Sequence, residues 1–196
     1  LPGAIVMPGS ELPLNIFEPR YLNMVSDALS THRMIGMIQP DPKTRDTNVL
    51  CHTGCAGRIT QYRETNDGRI EMVLSGVCRY DLGEELPTTR GYRLIVPDWS
   101  RFSDDYTNHE DPLRREHDHL IRMLKRYFDA KGLQADWSML ERLSTVRLMN
   151  SLSMALPISE QDKQLLLETV EPAQRLHTFT SLLGDGCQAS GSVTRH

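Results

Sequence analysis

Apolar positions along the chain change their spacing at a few definite places, and those places mark its elements. Leu12, Leu14 and Ile16 alternate with other residues, the period of a strand with one buried face. From Pro19 the spacing becomes helical: Tyr21, Leu22, Met24, Val25, Ala28 and Leu29 fall on one stripe. Pro19 suits a first helical turn, where its missing N–H has no partner to lose. Glu18 stands at the helix start, favoured by the positive end of the dipole. Arg20 is close enough to pair with Glu18 or to reach a neighbouring loop. Upstream, Ala4 to Met7 reads as a short strand ended by Pro8-Gly9.

After this helix the run Met34 to Gln39 reads as a buried strand bounded by Pro40-Asp41-Pro42. Residues 54–63 and 69–74 flank Asn66-Asp67-Gly68, a hairpin signal because Asp-Gly tolerates positive φ at both turn positions. In the second run Ile70, Met72 and Leu74 point inward. Gly76 to Leu82 follows as a further strand, and Tyr92, Leu94 and Val96 mark one more, closed by Pro97. Alternating strands, Gly-rich bends and a single early helix predict a small curled sheet or partly open barrel. Residues 100–110 are polar and acidic without period, the expected boundary.

Beyond it the spacing is helical throughout. Asp111-Pro112 is expected to start a helix carrying Leu113, His117, Leu120, Ile121, Leu124, Tyr127 and Phe128, with Gly132 past its end. Asp136 caps a short helix with Leu140 and Leu143. Val146, Leu148, Met149, Leu152 and Ala155 form the next stripe, ending before Leu156-Pro157. Ser159 with Asp162 in the box position starts a helix with Leu165, Leu166 and Val170. Pro172 starts the last, where Leu176, Phe179, Leu182 and Leu183 face inward until Gly184. The fold class expected is α+β. Residues 1–100 form a β-rich subdomain with one helix, 101–110 a linker, 111–183 a helical subdomain and 184–196 a disordered tail.

Composition narrows the classes. A chain of 196 residues with 39% hydrophobic and 24% charged residues is an ordinary globular protein, able to bury a real core. A net charge of −4 argues against a protein built to grip phosphate backbones. No apolar run reaches the roughly 18 residues of a membrane span, and the opening ten residues lack the marks of a secretory leader. Cys51, Cys55, Cys78 and Cys187 are too few and too uneven for a disulfide scaffold, so reduced thiols in a cytoplasm are expected.

The stretch PLNIFEPRYLNMV, with the unbroken run Ile16 to Tyr21, resembles the signature of the Lon N-terminal domain family, the substrate-binding domain of the ATP-dependent protease Lon. Gly57-Arg58-Ile59, the Asp67-Gly68 turn and Gly76-Val77-Cys78-Arg79-Tyr80 resemble later positions of the family in the right order. Leu156 to Ser159, Lys163 to Glu168 and Arg175-Leu176 are similar to its helical half. The resemblance implies a PUA-like β-barrel subdomain followed by helices. It also implies recognition of peptides or unfolded protein segments without covalent chemistry, as an adaptor or regulator in proteolysis with a protease or chaperone as partner. The ATPase and Ser-Lys protease modules that follow this domain in Lon are not in the sequence, so a stand-alone, non-enzymatic member is expected.

Candidate chemistry is otherwise sparse. Cys51-His52-Thr53-Gly54-Cys55, with Cys78 as a third ligand, invites a metal reading, but structural zinc wants four ligands in paired short spacings. Thiols on strands are the expected reading, with neither metal nor cofactor. His117 and His119 lie on different faces of one helix, and His117 falls on its apolar stripe as a hydrogen-bonded core residue. No nucleophile elbow, H-E-x-x-H or phosphate-cradling loop occurs. The substrate-binding candidates are Glu18, Arg20, Arg79, Trp99 and Phe102. For the first three a charged tie between helix start and sheet competes with ligand contact. For Trp99 and Phe102, packing of the two halves competes with lining an exposed groove, and packing is favoured. The alternative function is RNA binding, should Arg58, Arg63, Arg69, Arg79, Arg90 and Arg93 share one face. A third is an unrecognised enzyme, which converging Cys and His side chains in a polar pocket would reveal.

Overall fold

The computed structural model describes residues 3–44, 46, 48–107 and 111–191. Its first half is a five-stranded antiparallel sheet. Strand β1 (Glu11–Ile16) leads into helix α1 (Pro19–Leu29), then β2 (Met34–Met37), β3 (Thr53–Glu64), β4 (Ile70–Leu86) and β5 (Leu94–Asp98). The order is β1-β4-β3-β2, with β5 also pairing β4. Pro19 occupies the start of α1 with Glu18 as N-cap, as its spacing requires. The α1 stripe and the inner faces of β1 and β4 close one core around Val25, Ile35, Cys55, Ile59, Met72 and Leu74.

Several expectations change here. The runs 69–74 and 76–82 are one strand, β4. Its partner register passes from Ala56↔Cys78 to Gly57↔Gly76, so Val77 is the extra residue of a β-bulge. The bulge bends the strand and reverses which residues face the core. Ala4 to Met7 belongs to no strand, although Ile5, Val6 and Met7 are buried. Gly76 lets this segment pass, since a Cβ there would collide with the Met7 carbonyl. Of the Asp67-Gly68 turn only Gly68 has positive φ. Five residues separate the last pair, Glu64↔Ile70, so the loop is longer than a two-residue primed turn.

The second half contains α2 (Asp104–Thr107), α3 (His117–Lys131), α4 (Trp137–Leu140), α5 (Thr145–Ala155), α6 (Glu160–Glu168) and α7 (Pro172–Gly191). Asp136, Ser144 and Ser159 cap their helices through side-chain oxygens. Asp111 does not cap α3, which begins at His117 after a 3₁₀ turn at Arg114–Glu116. Instead its carboxylate accepts from Leu113 N at 3.2 Å and from Thr145 N at 2.7 Å, tying the start of α5 to this turn. His117 Nε2 lies 3.1 Å from the Leu143 carbonyl, the hydrogen-bonded role expected of it. In α6 the buried leucines are Leu166 and Leu167, while Leu165 and Val170 are exposed.

The stretch expected as a linker is structured. It holds a 3₁₀ turn at Ser100–Phe102 and then α2, both against β4; residues 108–110 lie outside the described residues. The last helix runs through Gly184 to Gly191 instead of stopping. Gly132 ends α3 with a left-handed φ of 64°, whereas Gly184 has no positive φ and stays helical. Of the expected tail, 192–196 lie outside the described residues. Sheet and helices meet through Leu167, which belongs to the sheet-side core.

Candidate functional site: an apolar groove on the curled sheet

A cavity of about 970 Å³, open to solvent, lies entirely in the β-rich half. That volume suits a ligand or peptide site. One wall is β2 with Ile38 just after it, and the facing wall is β5, with Leu94, Ile95 and Pro97. These strands pair with β3 and β4 respectively and not with each other. Tyr21, Met24 and Ala28 of α1 form a third side, and Ala56, Tyr80, Leu82 and Trp99 contribute between.

Local sequence explains the floor. Tyr80 is 2% exposed, and its ring crosses from β4 over β3 towards β2. Glycines make room for it: a Cβ on Gly54 would meet the Tyr80 hydroxyl at 2.7 Å, and one on Gly36 at 2.6 Å. Trp99 stands edge-on to the ring, with centroids 5.7 Å apart. Burial pushes the Tyr80 phenol above its ordinary pKa. Among the described residues nothing hydrogen-bonds this hydroxyl.

One end of the groove is closed by the segment before β5, strapped to α1. Asp27 accepts both Arg90 Nε (2.9 Å) and Nη2 (2.8 Å), and the Tyr92 hydroxyl at 2.9 Å, while Asn23 donates to the Arg90 carbonyl. These bonds hold the Asp27 carboxyl below its usual pKa, and the bond to Asp27 raises that of Tyr92. Arg93, on the same rim, pairs with Glu85 and donates to the Asn48 carbonyl.

The five candidate residues separate into two environments. Arg20 and Trp99 line the groove. Glu18 is at its edge, paired with Arg20 at 2.9 Å, and Arg20 also covers the Tyr21 ring. Arg79 and Phe102 are interior, 2% and 1% exposed, and out of reach of a ligand. Arg79 forms a two-point pair with Asp105 at 2.8 and 2.7 Å. Its Nη1 donates to the carbonyls of Leu167 and Thr169 at the end of α6, where the helix dipole favours a cation. Phe102 packs beneath the guanidiniums of Arg79 and Arg101. Arg175 is buried beside this pair with Nε and Nη1 lacking partners, and burial with the nearby Arg79 lowers its pKa to about 9.

Sequence reasoning missed the groove walls, because Leu94, Met24 and Ile38 read as plain strand and helix residues. Glycines inside two strands, Gly36 and Gly54, were the available signal.

The cysteines offer little chemistry. Cys51, Cys55 and Cys78 are free and buried, and Cys187 lies where no side chain is described. Cys51 donates to the Pro40 carbonyl at 3.6 Å and Cys78 to that of Phe102 at 3.3 Å. Burial pushes both thiols up to about 11 and Cys55 higher still. Among the described residues no cluster of His, Cys, Asp and Glu could hold a metal ion, and no helix is long and apolar enough to cross a membrane. Arginines of the β half are mostly neutralised: Arg63 by Glu71, Arg69 by Asp67, Arg79 by Asp105, Arg90 by Asp27 and Arg93 by Glu85.

The site is an open, mostly apolar groove on the curled sheet of an α+β chain. The family model for the ATP-dependent protease La (LON) substrate-binding domain matches residues 1–185, and the chain belongs to that family. Lon protease 1 of Hydrogenovibrio crunogenus is 25% identical over 182 residues, 88% of this chain and 21% of the relative. Lon protease of Heliobacterium modesticaldum is 24% identical over 189 residues, covering 93% and 23%. The chain therefore spans about a fifth of the length of these curated relatives. Among solved structures, a Lon N-terminal domain protein from Xanthomonas campestris superimposes with a TM-score of 0.65 at 24% identity, covering 91% of this chain and 93% of that one. The N-terminal domain of the Mycobacterium avium complex Lon protease gives 0.64 at 17% identity, over 93% and 94%.

Proposed function

We propose that this chain recognises peptides or unfolded protein segments in the groove between β2, β5 and α1, without covalent chemistry. The observation that carries this reading is a groove of about 970 Å³, walled mainly by apolar side chains and open to solvent, on a member of a substrate-binding family. Burial of apolar side chains from the segment supplies the affinity, and the broad width tolerates many sequences. The chain acts in proteolysis as an adaptor or regulator, handing segments to a protease or chaperone. The β half is the PUA-like binding part, and the helices after residue 110 support it. Its setting is the cytoplasm, in keeping with three free buried thiols.

The arginine pairing supports peptide over RNA as the ligand. Five of the six arginines considered for a basic face have carboxylate partners within 3.0 Å, leaving Arg58 outside those pairs. A tiled peptide array with labelled single-stranded RNA as parallel probe, at two salt concentrations, tests the reading. Expected is retention of apolar segments that is insensitive to salt and lost in Leu94→Glu, a change at an exposed groove wall. Equal retention by wild type and Leu94→Glu defeats it. So does RNA binding that falls steeply with salt in the absence of peptide binding.

A further inference from the structure

We infer that the groove is a strand-addition site. An extended segment pairs with the free edge of β2 beside Gly36 and Ile38, and its residue opposite Gly36 turns a hydroxyl or carboxamide side chain onto the Tyr80 hydroxyl. This rests on the groove being the docking site proposed above and specifies what it selects.

The free edge follows from the pairing. Ile59 N donates to the Arg33 carbonyl and Cys51 N to that of Gln39, so odd-numbered backbone groups of this strand face β3. Antiparallel ladders alternate, so the N–H and C=O groups of Gly36 and Ile38 face the other way. Among the described residues β2 has no partner strand on that side, and Gly36 is exposed. Both residues line the groove. The facing edge, β5, is the poorer template, because Pro97 lacks the donor a ladder needs and a strand proline turns that position outward. A segment entering the groove therefore has backbone partners on the β2 side.

The second observation is independent of the first. The Tyr80 ring is buried, yet its hydroxyl has no hydrogen-bond partner among the described residues and is not one of the atoms sealed from solvent, so the oxygen is left to the space of the groove. It ends over Gly36, 2.6 Å from where a Cβ would stand, on the face that the groove opens. A residue paired across from Gly36 on an added strand has its Cβ about 5 Å away on the same face, so a short polar side chain reaches the phenol. At the neighbouring inward positions the strand meets apolar walls, such as Leu94 and Met24. The preferred segment is thus extended, apolar at alternate positions, with one hydroxyl or amide residue among them.

The test uses fluorescein-labelled decapeptides titrated by anisotropy against the whole chain. Their inward face is valine with one central asparagine, their outward face alternating lysine and glutamate, and a matched peptide has valine for the asparagine. N-methylation of one alternate set of residues should weaken binding at least tenfold, and methylation of the other set should be tolerated. Tyr80→Phe keeps the ring and removes one neutral hydrogen bond. It should cost about fivefold with the asparagine peptide and nothing with the valine peptide. If both methylated sets bind alike, or Tyr80→Phe affects both peptides equally or neither, strand addition with polar readout is overturned, provided Leu94→Glu still abolishes binding. If Leu94→Glu binds as wild type does, or wild type binds neither peptide, the groove reading itself has failed.

Discussion

Replacing Asp105 by alanine should destabilise the protein more than replacing its partner Arg79 by methionine. Asp105 is the anion facing Arg79, whose side chain is 3% exposed, and it also offsets the buried Arg175. Asp105→Ala removes two hydrogen bonds to the Arg79 side chain and one to its backbone N–H. Two guanidiniums then remain buried with no carboxylate partner among the described residues, Arg175 already lacking partners there at Nε and Nη1. Breaking a buried pair in this way costs about 3–5 kcal/mol, a large part of the roughly 5–15 kcal/mol that stabilises a typical domain. For a chain of this size it corresponds to a fall in Tm of about 6–20 °C. In Arg79→Met, by contrast, Asp105 keeps Arg175 as a nearby cation and one buried charge is gone, so the loss should be smaller. Urea unfolding followed by circular dichroism, with Trp99 and Trp137 fluorescence as a second probe, measures each loss. The double change Arg79→Met with Asp105→Leu should cost less than the two single changes summed. The reasoning fails if Asp105→Ala stays within about 1 kcal/mol of wild type, or if Arg79→Met proves the worse of the two.

Arg175→Met removes a buried cation with unpartnered donors and should be neutral or stabilising, by up to about 3 kcal/mol in the same unfolding assay. Gly54→Ala would bring a Cβ to 2.5 Å from the Met37 carbonyl oxygen and 2.7 Å from the Tyr80 hydroxyl. It should cost about 1–3 kcal/mol in a thermal melt through forced displacement of strand and ring. The Asp27 strap should respond to acid. Its carboxyl is held below the ordinary value of 3.8 by Arg90 and Tyr92, so its contribution is complete above that pH and is lost as pH falls through the lower folded value. Backbone NMR signals of residues 87–93 should shift below pH 3.8 in wild type and at no such pH in Asp27→Asn. Cys51 and Cys78, with thiols at about 11, should resist iodoacetamide at pH 8 until urea unfolds the chain. Rapid labelling in the native state counts against their burial.

Local rules carried the sequence reading where each element is decided by its own residues. Pro19 at the start of α1, the Ser159–Asp162 cap and the alternation of Met72 and Leu74 all follow from short-range physics. The readings that changed depend on partners distant in the chain. The charged tie expected between the start of α1 and the sheet does not form among the described residues: Glu18 pairs with Arg20, while the partner of Arg79, Asp105, lies in a stretch with no period and comes close only through a short helix against β4. The bulge at Val77 is a property of pairing with β3, so the sequence alone divides one strand into two. In the sequence Gly184 reads as a stop, because glycine often ends helices. It ends one only when it takes a left-handed φ, as Gly132 does and Gly184 does not. The groove was hidden for the same reason: its walls come from α1, β2 and β5, whose common surface exists only after the sheet curls.

The Gly76 to Tyr80 motif links the two halves to the groove. Gly76 lets the Ile5–Met7 segment pass against β4, and Val77 is the bulge that turns the strand. Beyond the bulge, adjacent residues serve opposite sides. Arg79 is fixed to α6 through the Leu167 and Thr169 carbonyls, and Tyr80 forms the groove floor over Gly54 and Gly36. Consecutive strand residues cannot move independently, since the pleat fixes them on opposite faces. Among the described residues the helical half contributes none to the groove wall, yet it anchors the residue next to the floor. Loosening the Arg79 tie should therefore weaken binding in the groove even in variants that remain folded, and a tie without effect on binding would leave the helices a role in stability alone.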